Sequence, residues 1–143
     1  MIYLDNAATT RTAQEVVEAM LPYFTEQYGN PSAIYSLGSA GKKAINEARR
    51  TIAAAIGAKP EEIYFTAGGT EADNWALKAA AECCAGKGRH IITTKIEHHA
   101  VLHACGYLEK NGYEVTYLDV DRDGILDPEA LKEAIRPDTV LIS

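Results

Sequence analysis

The chain has little of what marks several common classes of protein. It has only three cysteines in 143 residues: the adjacent Cys83 and Cys84, and Cys105. An odd number without framework spacing indicates a reducing compartment, and we interpret these cysteines as small packing residues. No apolar run approaches the length of a membrane span, and the N-terminus lacks a basic-then-apolar signal pattern. The sequence therefore predicts a cytoplasmic protein that has no membrane partner.

Positive charge is also scarce. The formal net charge is -6, and no stripe of lysine or arginine is visible. This balance argues against nucleic acid and anionic membranes as partners. The P-loop and the G-x-G-x-x-G fingerprint of nucleotide-binding proteins are both missing. A hydrophobic fraction of 47% and a charged fraction of 24% are what an ordinary globular domain has.

Apolar periodicity predicts helices that alternate with strands. One helix begins at Ser39 as N-cap and ends before Gly57, and glycines or turn residues end the others. The alternation, without repeats or linkers, predicts an α/β fold with a mostly parallel sheet flanked by helices. The predicted helices are 13–28, 39–56, 70–85, 98–110 and 128–135, and the predicted strands are 63–66, 90–94, 113–118 and 139–142.

The last predicted strand, Thr139–Ile142, is followed only by Ser143. Parallel strands are normally covered on both faces. We therefore expect an incomplete fold, truncated at Ser143, that represents the front part of a longer polypeptide. Its exposed strand edges favour self-association or pairing with a complementary fragment.

A glycine turn at the start of the third helix is the first candidate site. Phe65–Gly69 runs from an apolar segment into the turn, and Thr70 and Glu71 follow in the helix. Free backbone N–H groups and the positive end of the helix dipole suit a phosphate there, and the Thr70 hydroxyl adds a donor. A plain tight turn with Thr70 as N-cap explains the same residues and stays open.

Histidines after the second predicted strand are the next candidates. His99 and His103 are four residues apart, as in some zinc sites, but no third ligand is placed by spacing. Surface or packed histidines explain them better, and we predict no metal. His98 is nearest the strand end and is the one expected to face a cofactor.

Asp119–Gly124 imitates the opening of a calcium loop. Its acidic residues and its glycine have the expected positions, but Ala130 occupies the position where a bidentate glutamate is needed. A strand rather than a helix precedes it. We interpret this segment as a polar turn.

Several of these segments together carry a resemblance. They are Tyr3–Thr10, Gly29–Ser32, Phe65–Asn74, Ile91–Thr93 and Glu97–Val101. Their order and spacing resemble the cysteine desulfurases, pyridoxal-phosphate enzymes of the class V aminotransferase group. The resemblance runs over the whole chain. It implies the N-terminal part of a fold-type I pyridoxal-phosphate transferase.

The resemblance implies roles for particular residues. Gly69 and Thr70 would bind the phosphate of the cofactor. His98 would stack on the pyridine ring and act as a catalytic proton carrier. Residues 1–12 would form an arm, and residues 13–143 the first part of the large cofactor-binding domain. The residues near the substrate entrance would be Asn6, Ala7, Ala8 and Thr9.

The resemblance also implies an activity. L-cysteine would be converted to L-alanine, and its sulfur would pass to an enzyme cysteine as a persulfide. The partners would be a sulfur-acceptor or scaffold protein of iron–sulfur cluster assembly and a second copy in a homodimer. No lysine or cysteine of this chain matches the family's Schiff-base lysine or its nucleophile, so we expect the isolated chain to be inactive. A non-catalytic remnant or partner subunit, and a selenocysteine lyase or other class V lyase, stay open as alternatives.

Overall fold

The boundary between two units falls between Tyr64 and Phe65 in the computed structural model, which describes residues 2–143. The strand predicted over 63–66 crosses this boundary, and the structure assigns no strand there. Tyr64 and Phe65 stay 67% and 49% exposed, whereas a strand of a parallel sheet is normally buried on both faces. The strand prediction is therefore wrong. The predicted division at residue 12 stays a prediction.

The first predicted helix is two helices, α1 (Gln14–Met20) and α2 (Pro22–Thr25). Leu21 still donates its N–H to the Val17 carbonyl at 3.1 Å. Proline has no N–H with which to continue that series, and it is favoured at the first position of a new helix. The apolar period alone did not reveal this interruption.

The long helix α3 (Ser36–Ile56) begins three residues before the predicted N-cap. The Tyr35 carbonyl already accepts the Ser39 N–H at 3.0 Å, so Ser39 lies inside the helix. The predicted end is confirmed: Gly57 has φ 69° and ψ 23°, the left-handed conformation in which glycine ends helices. A 3-10 turn, Pro60–Glu62, follows.

Three parallel strands form the sheet of the second unit, in which β1 (His90–Thr94) lies between β2 (Glu114–Leu118) and β3 (Thr139–Ile142), so that the order is β2-β1-β3. The prediction of a parallel sheet flanked by helices is confirmed. A polar turn precedes the last helix, as predicted, and Gly124 has φ 81° there. The elements are α4 (Gly69–Cys84), β1 (His90–Thr94), α5 (His99–Lys110), β2 (Glu114–Leu118), α6 (Pro128–Ala134) and β3 (Thr139–Ile142).

Helices α4 and α5 pack together and supply most of the core of this unit. Leu77 of α4 joins Val101, Ala104 and Cys105 of α5 in one buried cluster. A second cluster holds Ala81, Ile91 and Leu108. Burial of these side chains fixes the two helices side by side. No helix within residues 2–143 is both long and apolar enough to cross a membrane.

Polar side chains join the strands at the N-terminal end of the sheet, where each strand begins. His90 is fully buried at the start of β1, and its Nδ1 and Nε2 lie 2.7 and 2.8 Å from the hydroxyls of Thr139 and Thr116. The ring therefore links the central strand to both neighbours. This end of the sheet is opposite the C-terminal end of β1, from which the chain enters α5.

Candidate functional site

The turn that opens α4 presents backbone donors. Gly68 has an extended backbone, with φ 169° and ψ 176°, and its carbonyl accepts the Ala72 N–H at 3.2 Å. The N–H groups of Gly69, Thr70 and Glu71 have no hydrogen-bond acceptor within residues 2–143. These are the first-turn donors that a helix leaves unsatisfied, and the positive end of the helix dipole adds to their attraction for an anion.

Two side chains hold this turn in shape. Glu71 Oε2 accepts the Ala67 N–H at 2.6 Å, and Thr66 Oγ1 donates to the Gly68 carbonyl at 3.1 Å. The carboxylate of Glu71 is thus engaged with the backbone that precedes the helix. Ala67 and Gly68, which precede the helix, are both held by these hydrogen bonds, so the first-turn N–H groups keep a fixed direction.

A cavity of ≈ 500 Å³ lies beside the turn and is lined by Ala67–Glu71 together with Asn74. A Cβ placed on Gly68 or Gly69 would meet no protein atom within 4 Å. Packing within the protein therefore gives no reason for a glycine at either position. The open space leaves room for a ligand to approach the backbone closely.

His98 is the N-cap of α5. Its Nδ1 accepts the Ala100 N–H at 3.1 Å, and the ring is exposed. Because Nδ1 acts as the acceptor, the proton of the neutral ring lies on Nε2. Nε2 is thus the atom of His98 that can donate to a ligand.

The side chain of Asn74 connects the two predicted segments. It donates from Nδ2 to the carbonyl of Thr70 at 3.0 Å and to the carbonyl of Ala100 at 3.4 Å. The structure therefore brings the turn at Thr70 and the helix start at His98 together. Sequence reasoning included Asn74 and Glu71 in its motifs but assigned neither a role. Their positions four residues after Thr70 and Ala67 were the available signal.

The chain matches the protein-family model described as aminotransferase class-V over residues 2–143. This chain belongs to the class-V aminotransferase family. It is 60% identical over 142 residues to a cysteine desulfurase IscS of Methanosarcina thermophila, covering 99% of this chain and 35% of that protein. It is 57% identical to the cysteine desulfurase IscS of Dictyoglomus turgidum, covering 36% of that protein.

Solved structures are also similar to this chain. A NifS-like protein superposes with a TM-score of 0.94 at 40% identity, covering 99% of this chain and 39% of that one. The structure described as SspA in complex with cysteine superposes with a TM-score of 0.91 at 42% identity, covering 98% and 40%. The resemblance to cysteine desulfurases is confirmed. The chain spans between a third and two fifths of the length of these relatives.

Class-V aminotransferases of this kind depend on pyridoxal phosphate. The residues at the start of α4 fit the phosphate of that cofactor. Gly69, Thr70 and Glu71 line an open cavity, and a Cβ at Gly68 or Gly69 would meet no protein atom within 4 Å. The assignments of Gly69, Thr70 and His98 to the cofactor stay predictions.

The predicted substrate-entrance segment of this class-V chain lies in the first unit. Its backbone forms a turn in which the Ala8 N–H donates to the Asp5 carbonyl at 3.1 Å. Thr9 Oγ1 lies 2.6 Å from the Tyr3 hydroxyl. These residues are exposed. Their role near the substrate, and with it that of Asn6 and Ala7, stays a prediction.

The other candidates are accounted for locally. Within residues 2–143 no group of three or more metal-ligating side chains comes together, although the rings of His99 and His103 lie 5.5 Å apart. Asp121 Oδ1 accepts the N–H groups of Asp123 and Ile125, which makes an Asx-type turn of the segment that resembles a calcium loop.

Burial, with Glu109 and Glu97 nearby, raises the pKa of the Cys105 thiol, as expected for an unreactive packing residue.

Proposed function

We propose that this chain is part of a pyridoxal-phosphate-dependent cysteine desulfurase. The reaction moves the sulfur of L-cysteine to an enzyme cysteine as a persulfide and releases L-alanine. The similarity to curated cysteine desulfurases and to a neighbour solved in complex with cysteine supports this substrate. Since no lysine or cysteine here matches the family's reactive residues, the chain by itself is predicted to be inactive.

The observation that carries the proposal is the pairing of an open helix N-terminus with a capping histidine. Gly69 and Thr70 bind the phosphate through their N–H groups and the Thr70 hydroxyl. His98 would contact the ring of the cofactor and would present a proton at Nε2, since its Nδ1 is engaged with the Ala100 N–H. When bound, pyridoxal phosphate withdraws electrons from the carbon atoms of the substrate.

A threonine substitution tests the phosphate assignment in the full-length enzyme. Thr70→Ala should weaken binding of pyridoxal phosphate by about 1–2 kcal/mol, the usual loss of a hydrogen bond to a charged group. Thr70→Ser keeps the hydroxyl and should bind almost as tightly as the wild type. Affinity is measured by titrating the apoenzyme and following the absorbance of the cofactor.

Thr51→Ala is the matched control. Thr51 is an exposed threonine of α3 whose hydroxyl donates to the Glu47 carbonyl at 3.0 Å. It should leave cofactor affinity unchanged. If Thr70→Ala also leaves affinity unchanged, the assignment of the turn is wrong.

A further inference from the structure

The side-chain amide of Asn74 spends both of its N–H groups on carbonyl oxygens of two different helices. One is Thr70 O in the first turn of α4, at 3.0 Å, and the other is Ala100 O in the first turn of α5, at 3.4 Å. Only the NH₂ end of the amide can serve two acceptors, so the chemistry of the partners fixes its orientation. The bridge joins the helix that carries the phosphate turn to the helix that His98 caps.

The packing of α4 against α5 explains why this residue is a polar one. Thr70, Asn74, Leu77 and Ala81 recur at helical spacing and share one face of α4. Leu77 and Ala81 are buried against apolar side chains, and Asn74 is half-buried at the end of the same stripe. Apolar contacts set the distance between the helices. Asn74 adds a directional contact at the end where the candidate site lies.

We propose that Asn74 is a positioning residue that holds the phosphate turn at a fixed distance from His98. This inference rests on the proposed function of the site. A ligand with a phosphate at one end and a ring at the other gains from both contacts only when the two first turns are held in place beforehand. A ligand that consists of phosphate alone gains nothing from that alignment.

Two ligands distinguish these situations. Pyridoxamine 5′-phosphate has both the ring and the phosphate but no aldehyde, so it does not react with lysines of the chain. Inorganic phosphate probes the turn alone. Asn74→Ala should lower affinity for pyridoxamine 5′-phosphate about fivefold and leave affinity for inorganic phosphate unchanged, since one hydrogen bond between helices is lost. Both affinities are measured by NMR titration of the Thr70 and His98 amides.

Asn74→Ser separates the bridge from the bond inside α4. A serine hydroxyl has one hydrogen, which in helices is commonly given to the carbonyl four residues back. That carbonyl is Thr70 O, so the contact with Ala100 is the one that is lost. Asn74→Ser should therefore show the same selective loss as Asn74→Ala.

Asn111→Ala is the matched control for both variants. Asn111 also donates from Nδ2 to a carbonyl four residues back, Tyr107 O at 2.7 Å, but it does so at the far end of α5 and within that helix. It should change neither affinity. Thermal midpoints of all variants show whether the compared proteins are equally folded.

The outcomes separate the inference from the proposed function. An equal loss for both ligands would assign Asn74 to the phosphate turn alone, and no loss for either would deny it a positioning role; both results overturn the inference. If neither ligand shows Thr70-dependent binding to the wild type, the assignment of the turn to the cofactor phosphate in the proposed function fails instead.

Hydrogen exchange of the Ala100 amide, which donates to His98 Nδ1, decides the inference in that case too. Exchange about fivefold faster in Asn74→Ala and Asn74→Ser but not in Asn111→Ala supports the bridge, because local opening follows the lost bond. Exchange at the wild-type rate in all three variants overturns it.

Discussion

His98 combines two tasks in one side chain. Its Nδ1 caps α5 by accepting the Ala100 N–H, and its ring and Nε2 are left for the proposed ligand. An alanine substitution removes both at once and confuses folding with chemistry. An asparagine at the same position removes the ring but supplies a good N-cap acceptor.

His98→Asn and His98→Ala should therefore separate the two tasks. His98→Ala is expected to cost about 1 kcal/mol of stability from the lost cap, and His98→Asn is expected to restore most of it. Both should lower the turnover of L-cysteine by the full-length enzyme, by about a hundredfold if the imidazole carries protons. Thermal unfolding and steady-state rates measure the two effects. Wild-type turnover in His98→Asn would remove His98 from the chemistry.

At the level of single residues, local sequence was informative where one segment defines the feature. The turn at Gly69 and Thr70 and the helix start at His98 are each visible as a short motif. Asn74 was not, because its partner Ala100 lies 26 residues further along the chain. The α4–α5 packing that joins them depends on side chains spread over both helices.

At the level of secondary-structure elements, Arg136 connects β2 and β3 at the N-terminal ends of these strands. Its guanidinium donates to Glu114, at the start of β2, at 2.8 Å, and to Asp138, just before β3, at 2.8 and 3.0 Å. The hydrogen bonds from Arg136, with its positive charge, lower the pKa of both carboxyl groups. The sequence did not predict this cluster. Glu114 is 22 residues from Arg136, and the registers of β2 and β3 against the central strand β1 bring the two residues together.

Arg136→Gln should change how stability depends on pH. Carboxyl groups whose pKa is lowered by folding stabilise the native state above their unfolded pKa values, and that contribution is lost as the pH falls through the folded ones. The wild type should therefore lose stability as the pH drops below the usual carboxyl values of 4.5 and 3.8, and Arg136→Gln should lose less. Urea unfolding between about pH 3 and pH 7 measures this.

Lys132→Gln provides the comparison. Lys132 also contacts a carboxylate, Glu129 Oε2 at 3.3 Å, but both side chains are largely exposed within one helix. Such pairs contribute little, so its pH curve should match the wild type. Parallel curves for the wild type and Arg136→Gln would show that the cluster does not link stability to pH.

The elements that sequence reasoning misplaced have physical causes that periodicity does not contain. Pro22 divides the first helix because it lacks an N–H. The Tyr35 carbonyl accepts the Ser39 N–H, so α3 begins closer to the N-terminus than predicted. The segment 63–66 has strand-like residues, but Tyr64 and Phe65 stay 67% and 49% exposed, whereas strands of a parallel sheet are normally buried on both faces. The strands 90–94 and 139–142 were predicted at their observed bounds because their apolar runs lie inside the sheet.

For the whole molecule, the fold class followed from alternation, and the family from several segments in order. The parallel order β2-β1-β3 did not follow, because it depends on which crossover packs against which face. The chain covers 35% of the Methanosarcina thermophila relative. Turnover of L-cysteine should therefore be measured in the full-length enzyme. The large number of exposed apolar side chains is the feature of the whole molecule that predicts its behaviour in solution.

We expect the 143-residue chain to self-associate or bind hydrophobic dye. Large apolar side chains with at least half of their surface exposed include Phe24, Tyr28, Ile34, Ile56, Ile96, Ile125 and Ile135. Strands β2 and β3 also form the two edges of the described sheet. Exposed apolar surface and open strand edges both favour association. Sedimentation at low micromolar concentration, with dye binding measured alongside, tests the expectation.

Variants at the most exposed positions show whether the side chains cause the association. Ile34 is 99% exposed and Phe24 is 69% exposed, so Ile34→Ser and Phe24→Ser remove apolar surface without opening a cavity. Each should lower dye binding and shift the sedimentation profile toward monomer. Lys43→Ser is the control, because Lys43 is an exposed polar residue of α3 whose removal leaves the apolar surface unchanged. A compact wild-type monomer that unfolds cooperatively and binds no dye would contradict the prediction, because residues 1–143 would then bury enough of their own apolar surface.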